Sequence, residues 1–253
     1  MIITSTANAL VKQLVQYKKK KKERDKAGLY LVEGKRMYEE IPPEDLLKTY
    51  VSESFYKKEK IAGTVLSDEV FHYVSDTKTP QGILCLVKQK KHKKEEVLKG
   101  EKKLLLLLEN IQDPGNLGTI IRSAEAAGVS GVVISKESAD IYNPKVIRST
   151  MGSIFRVPFY YEEDMLALVR ELKKEQVKTF AAHLEGSKNH EQGNYLGSCG
   201  FLIGNEGNGL SANLTKEADE LIKIPMAGAV ESLNAAISAT LLIFEAARQR
   251  RQL

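Results

Sequence analysis

Leu104-Leu-Leu-Leu-Leu108-Glu-Asn-Ile-Gln-Asp-Pro-Gly-Asn-Leu-Gly-Thr-Ile-Ile-Arg122 holds the pattern that sets the fold class of this 253-residue chain. Its consecutive leucines leave no polar face, as in a strand buried on both sides of a parallel sheet. Asp113-Pro-Gly-Asn116 reads as a turn. Asn116 then starts a helix over Leu117 to Ala127, closed by Gly128, with Arg122 about two turns further along. Downstream the alternation continues: strand Val132 to Ile134, helix Pro144 to Met151, strand Val157 to Tyr160, helix Asp164 to Glu175, strand Lys178 to Ala182. Strand Gly200 to Ile203, a short helix near Leu214, strand Leu221 to Ile224 and a long C-terminal helix complete it. Such alternation predicts an α/β fold, a mostly parallel sheet flanked by helices, with ligands at the carboxyl ends of its strands.

Upstream, residues 1–95 read as a smaller α/β unit and 96–103 as a linker, leaving 104–253 for the larger domain. A helical stripe runs through Leu10, Leu14, Val15 and Tyr17. Strand Leu29 to Val32 leads into a helix from Glu33 to Glu40, stopped by Pro42-Pro43. Further strands are expected at Thr49 to Ser52, Thr64 to Ser67 and Ile83 to Val87. The net charge of +5 is mild, but Lys18, Lys19, Lys20, Lys21 and Lys22 are contiguous, and Lys88-Gln-Lys-Lys-His-Lys-Lys94 forms a second basic cluster. Grouped cations suit phosphate backbones; with Arg36, Arg148 and Arg122, the lysine run is either a nucleic-acid contact surface or a solvated basic face. Cys85 and Cys199 lie apart in apolar stretches, as buried thiols do in a reducing compartment. No zinc spacing, signal peptide or membrane-length apolar run is present, so a cytoplasmic protein without a metal is expected.

Two more Gly/Asn-rich stretches follow apolar runs: Ile203-Gly-Asn-Glu-Gly-Asn-Gly-Leu210 and Ile224-Pro-Met-Ala-Gly-Ala-Val-Glu-Ser-Leu-Asn234. The first is no phosphate loop, because Leu210-Ser211 stands where Lys-Ser/Thr would be needed. In the second, Ser232 suits the N-cap of the last helix. Arg122 is either a phosphate ligand or the ion-pair partner of Glu125.

Together and in this order, the three stretches resemble the SpoU (TrmH-type) branch of the SPOUT RNA 2′-O-ribose methyltransferases, over residues 104 to 250. The N-terminal segment, through Val32-Glu-Gly34 and its basic helix, is similar to the substrate-binding domain that many members carry. The resemblance implies a trefoil knot, a homodimer formed by the C-terminal domain, and S-adenosylmethionine as methyl donor. By position, Leu184, Gly204, Ile224, Met226 and Leu233 would line the donor pocket, and Asn116, Arg122, Glu206, Ser232 and Asn234 match the catalytic positions. Many relatives follow the last Asn with Val and a hydroxyl residue, whereas this chain has Ala235-Ala236. The implied activity is 2′-O-methylation of a structured RNA, with ribosomal RNA favoured over transfer RNA. A non-catalytic RNA-binding or ribosome-assembly protein on the same fold would not require Asn116, Arg122, Glu206 and Asn234 together. A small-molecule binder would leave the lysine clusters unused.

Overall fold

In the computed structural model, which describes residues 2–252, the chain separates into two units. One runs to Lys90 and takes in Asp140–Phe155; the other holds Lys91–Ala139 and the chain from Arg156 onward.

The first unit begins with β1 (Ile2–Ile3), α1 (Ala9–Lys19), α2 (Lys21–Ala27), β2 (Leu29–Glu33) and α3 (Lys35–Glu39). It continues with β3 (Leu46–Ser52), α4 (Glu53–Glu59), β4 (Thr64–Leu66), α5 (Asp68–Val74) and β5 (Ile83–Lys88). The sheet order is β1-β4-β3-β5-β2, with β5 antiparallel to both neighbours. Val11, Leu14 and Tyr17 of α1 bury against Val70, Phe71 and Val74 of α5 and the apolar face of the sheet. Val11, not Leu10 or Val15, lies on the fully buried line of α1; those two are only partly covered. The lysine run is helical up to Lys19 and again from Lys21, with Lys20 extended at the joint. The helix expected from Glu33 starts two residues later. Glu33 remains in β2 opposite Leu84, and Gly34 turns the chain at φ 109.

The second unit starts with α6 (Lys94–Val97), β6 (Leu104–Leu108), α7 (Pro114–Ala127) and β7 (Gly131–Ser135). The next helix, α8 (Pro144–Thr150), falls in the first unit. Then come β8 (Phe159–Glu162), α9 (Met165–Lys174), β9 (Lys178–Ala182), β10 (Lys188–Asn189), β11 (Cys199–Ile203), α10 (Ala212–Glu217), β12 (Glu220–Lys223) and α11 (Ala235–Arg250). The sheet order is β10-β12-β9-β11-β6-β7-β8, and every pairing is parallel. All five leucines of β6 are buried, as a strand covered on both faces requires.

Some boundaries move for local reasons. Asp113-Pro-Gly-Asn116 is the first turn of α7 rather than a separate turn: Asp113 accepts the Asn116 N–H at 2.8 Å, and Pro114 takes the first helical position. β8 begins at Phe159 because Pro158 has no N–H; only its carbonyl joins, accepting from Val132 at 2.9 Å. The segment expected as a linker contains the end of α6, with Val97 and Leu98 buried. Asp140–Phe155, expected within 104–253, packs in the first unit. There Asp140 meets the buried guanidinium of Arg24 at 2.5 Å, and the Tyr142 hydroxyl donates to the Lys90 carbonyl at 2.6 Å.

The end of α11 is pinned by one side chain. Arg250 donates to the carbonyls of Gly197 at 2.6 Å, Tyr195 and Lys103 at 2.9 Å, and Lys102 at 3.3 Å. These carbonyls precede β6 and β11. Arg250→Ala is expected to lower unfolding stability by about 1–3 kcal/mol in urea titrations. Arg250→Lys should recover little, since an ammonium cannot reproduce a fork that reaches several carbonyls.

Candidate active site

β12, β9, β11 and β6 are consecutive neighbours in a parallel sheet, so the loops leaving their carboxyl ends emerge side by side. Those loops are the ones that hold Ile224 to Asn234, Leu184, Gly204 to Leu210, and Asn110 to Asn116. Stretches separated by roughly a hundred residues of sequence therefore share one edge.

A directional chain of hydrogen bonds joins them. Asn234 is the N-cap of α11: its Oδ1 accepts from the Ala236 N–H at 2.9 Å and the Ile237 N–H at 3.3 Å. With that oxygen committed, its amide nitrogen faces Asn116 and donates to Oδ1 at 2.8 Å. The Asn116 nitrogen is thereby turned to Glu206 and donates to Oε1 at 2.9 Å. Glu206 also accepts the backbone N–H groups of Gln112 and Asp113, each at 3.2 Å. The helix cap thus dictates the amide orientation of both asparagines. Each amide carries two N–H groups; among the described residues one of each is engaged in this chain. Partial burial pushes the Glu206 carboxyl up, but the donors from Asn116, its own backbone, Gln112 and Asp113 outweigh that and hold it below the usual range.

Glu206 is presented by a tight loop. Asn205 and Gly209 exchange backbone hydrogen bonds at 3.0 and 2.9 Å, and Asn205 Oδ1 accepts the Gly207 and Asn208 N–H groups at 2.8 and 3.0 Å. Gly204 is required there by close approach, since a Cβ would stand 2.1 Å from the Gly209 carbonyl carbon.

The remaining expected residues are distributed as follows. Arg122 is exposed on α7; Glu125, its alternative partner, is instead held by Arg156 through Nη2 at 3.1 Å. Ser232 is exposed and does not cap α11. Asn234 takes that role because it is the residue next to the first helical turn. Ala235 and Ala236 are buried in that turn. Ile224, Met226 and Leu233 are partly covered, while Leu184 is 65% exposed. In the first unit Lys18 donates to the carbonyls of Tyr73 at 3.0 Å and Ser75 at 2.9 Å, and its burial lowers its pKa despite Asp76 nearby. Lys19, Lys20, Lys21, Lys22 and Arg36 are exposed, and Arg148 pairs with Asp76 at 3.3 Å. Gln112, Asp113 and Asn205 escaped the sequence reading as site residues. For Asp113 the signal existed: an Asp before Pro at a helix start is a cap signature. Among the described residues, no group of His, Cys, Asp or Glu is placed to hold a metal ion, and no helix is long and apolar enough to cross a membrane.

Residues 103–244 match the model of the SpoU rRNA methylase family, and residues 8–85 match that of the MRM3-like substrate binding domain. A Bacillus subtilis protein named 23S rRNA (guanosine(2553)-2′-O)-methyltransferase RlmP is 36% identical over 230 residues, 88% of this chain and 90% of that one. Among solved structures, the SpoU methyltransferase AviRb from Streptomyces viridochromogenes, in complex with AdoMet, superposes with a TM-score of 0.84 at 25% identity. That match covers 96% of this chain and 98% of the other. An AdoMet-bound rRNA methyltransferase from Sinorhizobium meliloti gives a TM-score of 0.83 at 29% identity, over 98% of both chains.

The depressed Glu206 carboxyl has a stability consequence. A carboxylate held below its unfolded pKa stabilises the fold above that unfolded value, and the contribution is lost as pH falls through the folded pKa. Glu206→Gln is therefore expected to be less stable than the parent at pH 7. The gap should begin to narrow below about pH 4.3 and close only once pH has fallen through the lower folded-state pKa, read as unfolding midpoints measured across that range.

Proposed function

The chain belongs to the SpoU rRNA methylase family, and from that premise we propose that it methylates the ribose 2′-hydroxyl of a guanosine in 23S ribosomal RNA. Its class is that of an S-adenosylmethionine-dependent RNA 2′-O-methyltransferase. The base and the RNA are taken from the likeness to RlmP. The observation that carries the reading is the hydrogen-bond chain Asn234–Asn116–Glu206, which ties all three stretches together on the carboxyl edge of the sheet.

The loops fit the donor. Gly204 leaves main chain where no side chain has room, and Leu184, Ile224, Met226 and Leu233 offer apolar surface at the same edge. These are the residues that would hold it; when bound, S-adenosylmethionine supplies a methyl group on a cationic sulfur. The rest of the task falls to side chains of this protein. The second N–H groups of Asn116 and Asn234 are suited to aligning the 2′-oxygen. Arg122, exposed on α7, anchors the phosphate beside the target ribose through its guanidinium and stabilises charge growing on the attacking oxygen. Glu206 is too acidic to act as an efficient base near neutral pH, and it serves by holding the Asn116 amide. Ser232 completes the group at the start of α11.

Recognition of the RNA is assigned to the first unit. Lys19, Lys20, Lys21, Lys22 and Arg36 meet phosphates; Lys18 and Arg148, engaged by Tyr73, Ser75 and Asp76, keep that surface in shape. A ribosomal RNA substrate also makes the cytoplasm its place of action. We further assign a trefoil knot to the second unit. From β9 the chain runs to β10 at the sheet edge, crosses to β11, and returns to β12 between β9 and β10 before α11 packs on α7. Dimerisation is assigned to α11, whose Ile237, Leu241 and Phe244 form an exposed apolar stripe at 52%, 39% and 39% exposure.

Purified protein, S-adenosylmethionine and RNA from a deletion strain should raise one 2′-O-methylnucleoside, 2′-O-methylguanosine, in 23S RNA by mass spectrometry. A gain only in transfer RNA would sink the ribosomal assignment, and no gain in any RNA would sink the activity. In the same assay Arg122→Ala should lower kcat/KM about a hundredfold or more. Arg122→Lys should keep part of the RNA affinity; normal RNA binding with no turnover in both variants would refute phosphate anchoring. Sedimentation should show a dimer that Leu241→Asp with Phe244→Asp converts to monomer, and a parent that sediments as monomer would end that assignment.

A further inference from the structure

Asn110 stands at φ 56, a left-handed conformation that Asn tolerates better than other residues with a Cβ when its side chain is hydrogen-bonded nearby. Two buried serines hold it there. The Ser135 hydroxyl, at the end of β7, accepts the Asn110 N–H at 2.8 Å and donates to Asn110 Oδ1 at 2.9 Å. Ser138 lies 3.1 Å from Ser135 Oγ and accepts the Ile111 N–H at 3.1 Å. Because the Ser135 proton is committed to Asn110, the Ser138 hydroxyl is the donor between the two serines. Ser135 and Ser138 are 3% and 7% exposed, so each of these groups would be unpaired without the other.

The turn at Asn110 has two outputs. Its carbonyl accepts Asn205 Nδ2 at 2.8 Å, which anchors the loop presenting Glu206. Immediately after it, the N–H groups of Gln112 and Asp113 are aimed at the Glu206 carboxylate. The loop and its carboxylate are thus held from both sides by one backbone turn. We propose that Ser135, with Ser138, is a positioning residue for methyl transfer, acting through the Asn110 turn to place Glu206 and hence the Asn116 amide. This rests on the methyltransferase reading above. Neither serine lies in the three stretches that mark the family resemblance, and neither touches the reacting groups.

The test compares the parent protein with Ser135→Ala, Asn110→Ala and Asn110→Gly, each assayed for methyl transfer, S-adenosylmethionine affinity, RNA KM and melting. Ser135→Ala should lower kcat about tenfold or more with both affinities nearly unchanged. Its acid limb of kcat against pH should move upward, because a Glu206 that loses the Gln112 and Asp113 donors becomes less acidic. Asn110→Ala should match that loss. Asn110→Gly, which adopts positive φ freely but removes the Oδ1 that Ser135 donates to, should keep clearly more kcat than Asn110→Ala. If Ser135→Ala fails to fold, the Ala and Gly variants of Asn110 decide by the same contrast. Equal kcat and an unmoved pH profile in Ser135→Ala, or equal damage from Asn110→Ala and Asn110→Gly, would overturn the proposal. An inactive parent would instead defeat the methyltransferase reading, and an active parent with fully active variants would defeat only the positioning role.

Discussion

Burial of β6 on both faces is the constraint from which the second unit follows. A strand of five leucines has no side to offer water, so it must lie inside the sheet with helices covering each face. Its neighbours β11 and β7 run parallel to it, and parallel neighbours can be joined only by crossovers. Every carboxyl end then falls on the same edge. That geometry, more than any individual motif, is why residues as distant as Asn116, Glu206 and Asn234 are within hydrogen-bonding distance of one another.

At that edge neutral amides and one carboxylate form a hydrogen-bonded chain. The order of donors begins at a helix end. Backbone N–H groups at the start of α11 have no carbonyl to bond, so they take the Asn234 oxygen. The two amides downstream have no remaining choice of orientation. A carboxylate that collects two backbone N–H groups and an amide N–H is a poor proton acceptor and a good anchor. Arg122 lies exposed on α7. The division suits a reaction whose main demand is alignment of a hydroxyl.

The crossover between β7 and β8 serves two structural roles. Its first residues, Ser135 to Ala139, brace the loop after β6: Ser138 accepts the Ile111 N–H, and the Ala139 N–H donates to the Ile111 carbonyl at 2.8 Å. The residues from Asp140 to Phe155 then fold with the first unit, where Arg24 and Tyr30 receive Asp140 and Tyr142. The crossover helix α8 has seven residues, and its buried Val146 and Ile147 lie in the first unit.

Strong local signals were legible in the sequence. The leucine run, the amphipathic pattern of α9, the Pro at the start of α8 and the glycine closing α7 each express a preference that a few neighbouring residues decide. Some short elements were not. The seven-residue α4 and α5 span too few turns to show a period, and β10 has two residues held by pairing with β12. The order of the three Gly/Asn stretches was also written in the chain, and with it the family. Tertiary structure alone decided which amide faces which carboxylate and that two serines brace Asn110. Those choices depend on partners 25 to 118 residues away. Only the order of strands in the sheet brings such partners together, and no local preference encodes it.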